Sequence, residues 1–181
     1  MVNGCAKEYQ RLPFRVDPFR FAHDAVELES QLPLTQMKRL SAILYQPEGM
    51  VTVRLAFSVD VLGVSSLLGS LQAGLDLVCQ RCLEPMHVDL DTSLALGFAR
   101  SAAGLEQITS ELDPVRVEGG QVDLLALLED EIMLALPQIP RHLENECSLR
   151  HEHETPDSES HRPQAQRENP FSVLAGLKKS E

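Results

Sequence analysis

The chain of 181 residues lacks any run of eighteen apolar residues, and its first ten residues lack a basic region followed by a hydrophobic one. Neither a membrane helix nor a secretory leader is expected, so the protein is predicted to be soluble and cytoplasmic. Cysteine is scarce: four in all, two of them in one tight pair. That is too few for the disulfide lattice of a small secreted scaffold and suits a reducing compartment. Cations are scarce as well, with 16 Lys and Arg against 27 Asp and Glu and a net charge of −11. Phosphate binding over the whole surface is disfavoured, because each duplex phosphate contact normally wants a cation. Also missing are Gly-x-Ser-x-Gly, a phosphate-cradling Gly-x4-Gly-Lys and a dinucleotide fingerprint, and Cys5 has no obvious base partner. A non-enzyme with no small-molecule substrate is the expectation.

What is present suffices for one core, since 43% of the residues are hydrophobic. The charge is uneven. Residues 1–48 carry six basic and six acidic side chains, whereas residues 101–140 carry one and eight. Arg11, Arg15, Arg20, Lys38 and Arg39 could form a local basic face, although the equal acid in that stretch favours ordinary solvated charges. Residues 12–17 look extended between Pro13 and Pro18, and Pro18 suits the start of a short helix through Ala25. Thr35 could cap a second helix with Met37, Leu40, Ser41 and Leu44 on one face, stopped by Pro47. Val51, Val53, Leu55, Phe57, Val59 and Val61 alternate with small or polar residues, a period of two that predicts a strand. Leu71 to Cys79 alternate likewise, as do Val88 to Phe98. The fold predicted is α+β: an antiparallel meander with packed helices and one wet face, with Cys79 and Cys82 at the tip of a long hairpin.

Residues 101–120 read as a loop with a short extended piece at 114–117, ended by Gly119-Gly120. Leu124, Leu125, Leu128, Ile132, Ala135 and Leu136 then follow helical spacing over 122–136, with Pro137 closing the segment. Asp123 suits the positive end of this helix; Glu129, Asp130 and Glu131 read as a solvated face or as an acidic docking face for a basic protein. No histidine lies within the helix to complete a metal site. Residues 1–140 are thus expected to form the core domain. Residues 141–168 are rich in Glu, His, Arg, Ser and Pro and are predicted to be a largely disordered acidic linker, in which His151 and His153 would bind metal only incidentally. Residues 169–181 predict a short amphipathic helix capped by Asn169, with Phe171, Leu174 and Leu177 on one face, serving as a latch or as a partner-binding motif.

The pair Cys79-Gln80-Arg81-Cys82 suits either a metal or a redox disulfide. A redox site wants its first thiol at a helix N-terminus, whereas here Cys82 leads through Leu83-Glu84-Pro85 into a strand. Two thiolates of a tight turn converging on one zinc ion fit better, and two further ligands would close the tetrahedron. His87 lies at knuckle spacing, but the fourth place of a nucleic-acid-binding knuckle is Thr92, and His87 is in phase with Asp89 and Asp91 on a polar strand face. A deaminase site fails because Val78 stands where its proline belongs. His142 and Cys147 are the more plausible partners. Zinc on Cys79, Cys82, His142 and Cys147 is one expectation; reduced structural thiols are the other.

Val78-Cys79-Gln80-Arg81-Cys82, the block from Asp123 to Ile132 running into Leu134-Ala135-Leu136-Pro137, His142 with Cys147, and the ending Asn169-Pro170-Phe171 with Leu174-Ala175 and Leu177-Lys178 resemble the bacterial YceD family, the large ribosomal RNA subunit accumulation proteins. Leu12-Pro13 and Asp17-Pro18 are compatible with it, so the similarity spans nearly the whole chain. It implies a cytoplasmic protein involved in synthesis, processing or stability of 23S rRNA, hence in large-subunit assembly, and no known active site. Some relatives look to have a second close cysteine pair downstream; here Cys147 with His142 stands in that region, which rules out a four-thiolate site. The partner expected is ribosomal RNA, met through Arg11, Arg15 and Arg20, or a basic ribosomal protein, met through Glu129, Asp130 and Glu131. The competing function is a zinc-dependent enzyme acting on RNA or nucleotides, which needs an open metal position and a general base.

Overall fold

The computed structural model describes residues 11–143 and 146–148, all within the first of two units, 1–150 and 151–181. Expectations for Cys5, for the linker beyond residue 148 and for the terminal motif lie outside the described residues. A five-stranded sheet dominates, built from β2 (Glu27–Pro33), β3 (Met50–Val59), β4 (Ser65–Val78), β5 (Pro85–Ala99) and β6 (Asp113–Arg116) in that order. Every pairing is antiparallel except β5 with β6, which is parallel. Two-residue strands β1 (Arg15–Val16) and β7 (Val122–Asp123) pair separately. The helices are α1 (Pro18–His23), a 3-10 turn (Leu34–Gln36), α2 (Lys38–Ser41), α3 (Ala102–Leu105) and α4 (Leu124–Ala135). The α+β class expected from the alternating patterns is the one observed. No helix among the described residues is long and apolar enough to cross a membrane.

The alternating residues of neighbouring strands line up across the sheet. Leu32 faces Val51, which faces Ala73, which faces Leu90; two inward rungs along, Leu28, Leu55, Gly69 and Leu94 align in the same way. A period of two therefore sends one set of side chains into a common core. Phe57, Leu67, Leu71, Leu75 and Leu96 are buried there with Leu34, Met37 and Leu40 from the short helices and Leu124, Leu128 and Ile132 from α4. The edge of Phe21 meets the ring of Phe57, which stacks on Phe98. Asp123 caps α4, its carboxylate accepting from the Ala126 N–H at 3.1 Å.

Several local expectations change. β2 gives no strand signal in the sequence, because Ser30 stands at the inward position between Leu28 and Leu32 and interrupts the apolar alternation. Val61 continues the β3 pattern in sequence, yet it is fully exposed in a turn where Asp60 accepts from the N–H groups of Leu62 and Val64. Thr35 caps nothing; it sits inside the 3-10 turn, and no side chain of α2's own entry caps that helix. The region 101–120 contains α3, absent from the loop reading, while the extended piece expected at 114–117 is found as β6.

The cap of α2 comes from ninety residues away. Glu129, on α4, is buried and accepts from the N–H groups of Arg39 (2.6 Å) and Leu40 (3.0 Å) and from Arg39 Nε (3.0 Å). Arg39 also reaches Asp130 at 2.6 Å and the Ala126 carbonyl at 3.2 Å. The solvated face expected on α4 is thus not solvated at Glu129, which satisfies orphan donors of a helix too short to hold itself. Glu129→Ala should lower stability by about 2 kcal/mol by leaving the backbone N–H groups of Arg39 and Leu40 and the Arg39 Nε–H without their acceptor. Glu129→Gln, which keeps an acceptor oxygen, should lose less; denaturant unfolding of both variants checks the order, and equal losses would contradict it.

Candidate metal centre

The pairing of β4 with β5 runs to Val78 opposite Pro85, leaving residues 79–84 as the turn. Within it the Cys79 N–H donates to the Glu84 carbonyl and the Leu83 N–H to the Cys79 carbonyl, both at 2.9 Å. Leu83 adopts φ +62°, a left-handed conformation that costs a non-glycine residue about 1 kcal/mol and bends the chain back toward the strand. Cys79 and Cys82 are brought together on this turn.

The other half arrives from α4. Leu136 leaves the helix in an extended conformation, and the chain passes Pro137 and Pro140 to lie along the hairpin tip, where Gln80 N–H donates to the Pro140 carbonyl at 2.8 Å. Ligand atoms of Cys79, Cys82, His142 and Cys147 all lie within 4.8 Å of one another, and Cys79 and Cys147 are buried. Zinc with bonds of about 2.3 Å sets tetrahedral thiolates about 3.8 Å apart, so this cluster closes on an ion with small adjustment. The imidazole fits too. A carbonyl only accepts, so the His142 Nε2–H donates to the Pro85 carbonyl (3.1 Å), while Nδ1 faces Cys82 Sγ at 3.3 Å. A second nitrogen anchored on a backbone carbonyl is the usual support of a metal-binding histidine.

The electrostatics favour thiolate. Burial pushes the Cys79 thiol up, but N–H donors from Cys82, His142 and Arg81 outweigh it and hold the pKa at about 5. Cys82 is lowered, first by the backbone of Glu84. His142 is raised, first by its bond to Cys82. The turn therefore stabilises a thiolate without a helix N-terminus, and the buried position of Cys79 suits a metal ligand better than an exposed nucleophile. The four side chains form a group able to hold a metal ion.

Other expected site residues fall elsewhere. Arg11, Arg15 and Arg20 are exposed; Arg20 is 3.7 Å from Asp24, an exposed ion pair of little worth. Glu129 and Asp130 are taken up by Arg39. Burial, then Asp113 and Asp130, pushes the half-buried Glu131 carboxyl up. His87 is outside the cluster, its Nδ1 2.7 Å from Asp76 and its Nε2 3.3 Å from Asp89, with its ring against Gly74, where a Cβ would come within 2.9 Å. Nothing local in the sequence marks the Arg39 to Glu129 link; the pairing of His87 with Asp76 follows only from the hairpin register.

A family model described as Large ribosomal RNA subunit accumulation protein YceD matches residues 67–178. A Haemophilus influenzae protein described as "Large ribosomal RNA subunit accumulation protein YceD" is 29% identical over 173 residues, which cover 93% of this chain and 97% of that protein. No solved structure matches the chain.

The His87 site carries a pH signature. Asp76 foremost, then Asp89, favour the imidazolium and raise its pKa above the ordinary value of about 6.5. Its contribution to stability is fully present below that ordinary value and is lost as pH rises through the raised one. Proton NMR should find the His87 midpoint above that of a free histidine and lowered in Asp76→Asn; an ordinary midpoint in the parent protein would refute the assignment.

Proposed function

The chain belongs to the YceD family of large ribosomal RNA subunit accumulation proteins, and from that premise we propose that it is a non-enzymatic cytoplasmic factor in the synthesis, processing or stability of 23S rRNA, and so in large-subunit assembly. The observation that carries this is the family match itself, which runs through the β4–β5 hairpin, α4 and all four members of the metal cluster. The proposed ion is one zinc, held by Cys79, Cys82, His142 and Cys147. Four protein donors complete a tetrahedron and leave no coordination position for a substrate or an activated water, which favours a structural over a catalytic role and weighs against a zinc-dependent nuclease or nucleotide enzyme.

The proposed contact is with RNA through Arg11, Arg15 and Arg20. Their exposure supports it, and among the described residues neither Arg11 nor Arg15 pairs with a carboxylate. A basic ribosomal protein is the second partner, favoured by the acid of residues 101–140; with Glu129 buried and Asp130 bonded to Arg39, Glu131 is the one of the three left to meet it.

Crosslinking from cells with identification of both RNA and protein partners tests the function: recovery of 23S rRNA or large-subunit proteins is expected, and their absence would overturn it. Replacing Arg11, Arg15 and Arg20 with glutamate should weaken RNA binding and reduce the salt slope by about 2, at roughly 0.7 for each single-strand phosphate left without its cation. An unchanged slope would exclude these arginines. Loss of ribosomal-protein copurification in a Glu131→Lys variant that still binds RNA would favour the second partner. Protein purified in chelator-free buffer should contain one equivalent of zinc, and Cys79→Ser should lose it.

A further inference from the structure

We propose that the metal is the tether that seats residues 138–143 and Cys147 on the hairpin tip, so that metal binding and docking of this segment are one event. The proposal rests on the assignment of the four side chains as a zinc site. Past Pro137 the described chain buries little apolar surface. Its two large apolar side chains, Ile139 and Leu143, are 59% and 67% exposed, and Cys147 is the one buried apolar residue among the described positions there. Neither Cys147 nor Cys79 belongs to the main core, which ends at α4 with Ile132 buried and Leu136 partly so. Hydrophobic burial therefore does not dock the segment.

Hydrogen bonding does not suffice either. The described bonds from residues 138–143 to the body are Gln80 N–H to the Pro140 carbonyl, His142 N–H to Cys79 Sγ, and the His142 ring to Cys82 Sγ and the Pro85 carbonyl. All four end on the hairpin tip, and three of them use His142. A few partly exposed hydrogen bonds return little net free energy against the entropy of ordering the chain that makes them. Meanwhile the ligand atoms of all four side chains lie within 4.8 Å of one another, so coordination adds four bonds across the junction, two on the hairpin and two on the docked segment.

The docked segment also completes a surface feature. A cleft of about 370 Å³ is lined by Ile43 and Leu77 on one side, by Met133 and Leu134 of α4, and by Pro137 and Pro140 of the tethered chain. Release of the tether removes the Pro140 wall and bares the apolar floor, while the sheet and α4 stay folded.

Hydrogen exchange of the full chain, zinc-loaded and after treatment with a strong chelator, tests the tether, with zinc content measured on the same samples. On zinc removal the amides of Gln80 and His142 should exchange at least tenfold faster, those of α4 and β3 should not change, and added zinc should restore protection. His142→Ala should release the segment even with zinc present, whereas Ile139→Ala and Leu143→Ala should leave it protected. One bound zinc with unchanged protection after its removal would overturn the tether and leave the zinc site standing. Absence of bound zinc from the parent protein would overturn both. Exposure of α4 together with the segment would show that the metal supports the core, and release by Ile139→Ala or Leu143→Ala would show apolar docking; either overturns the tether.

Discussion

Fourteen consecutive antiparallel pairs, from Ser65 opposite Phe98 to Val78 opposite Pro85, fix where the other described elements stand. The near end of this ribbon lies in the core, where Leu67, Leu96 and Phe98 pack with Phe57. Its far end carries the turn of Cys79 and Cys82. Register has no freedom along the ribbon, because a slip of one residue would put Leu71, Leu75 and Leu77 into water together. The ribbon thus joins two requirements: the burial that stabilises the fold also aims two thiols at one point. α4 meets the same constraint from the other side, since Leu124, Leu128 and Ile132 hold it against the core and deliver Pro137 to the hairpin tip.

Where short-range chemistry decides the outcome, the sequence is readable. The period of two in β3, the helical spacing of 124–136 with Asp123 at its start, and a Cys-x-x-Cys between two alternating runs are local patterns, and each appears in the structure at nearly the expected place. Bringing His142 and Cys147 to the thiols needs one further step, the return of the chain after Pro137, which residue types suited to one ion make plausible. What stays hidden depends on distance along the chain. Glu129 looks like any carboxylate on a helix until Arg39, from ninety residues earlier, is placed beside it. The face of Met37, Leu40 and Ser41 announces a helix at α2 but not that it stops after four residues. β2 conceals itself behind Ser30, and although the extended piece at β6 is legible, its parallel pairing with β5 is not.

The acidity of the chain takes on a different meaning once its carboxylates are placed. Part of the acid is internal structure: Glu129 and Asp130 organise α2 through Arg39, Asp60 shapes a turn, Asp123 caps α4, and Asp76 and Asp89 flank His87. These roles leave the net charge as it is, and exposed arginines near the N-terminal end coexist with a strongly acidic composition.

An open five-stranded sheet has two outer strands, and each is a template on which another chain could polymerise. Here β2 alternates Glu27, Glu29 and Gln31 along its length and ends in Pro33, while β6 is four residues long with Pro114 inside it. Charge and a missing N–H at one border, brevity and a missing N–H at the other, make both poor seeds. A protein with these borders can be abundant and stay colloidally separate, sparing its sheet from fibrous self-association.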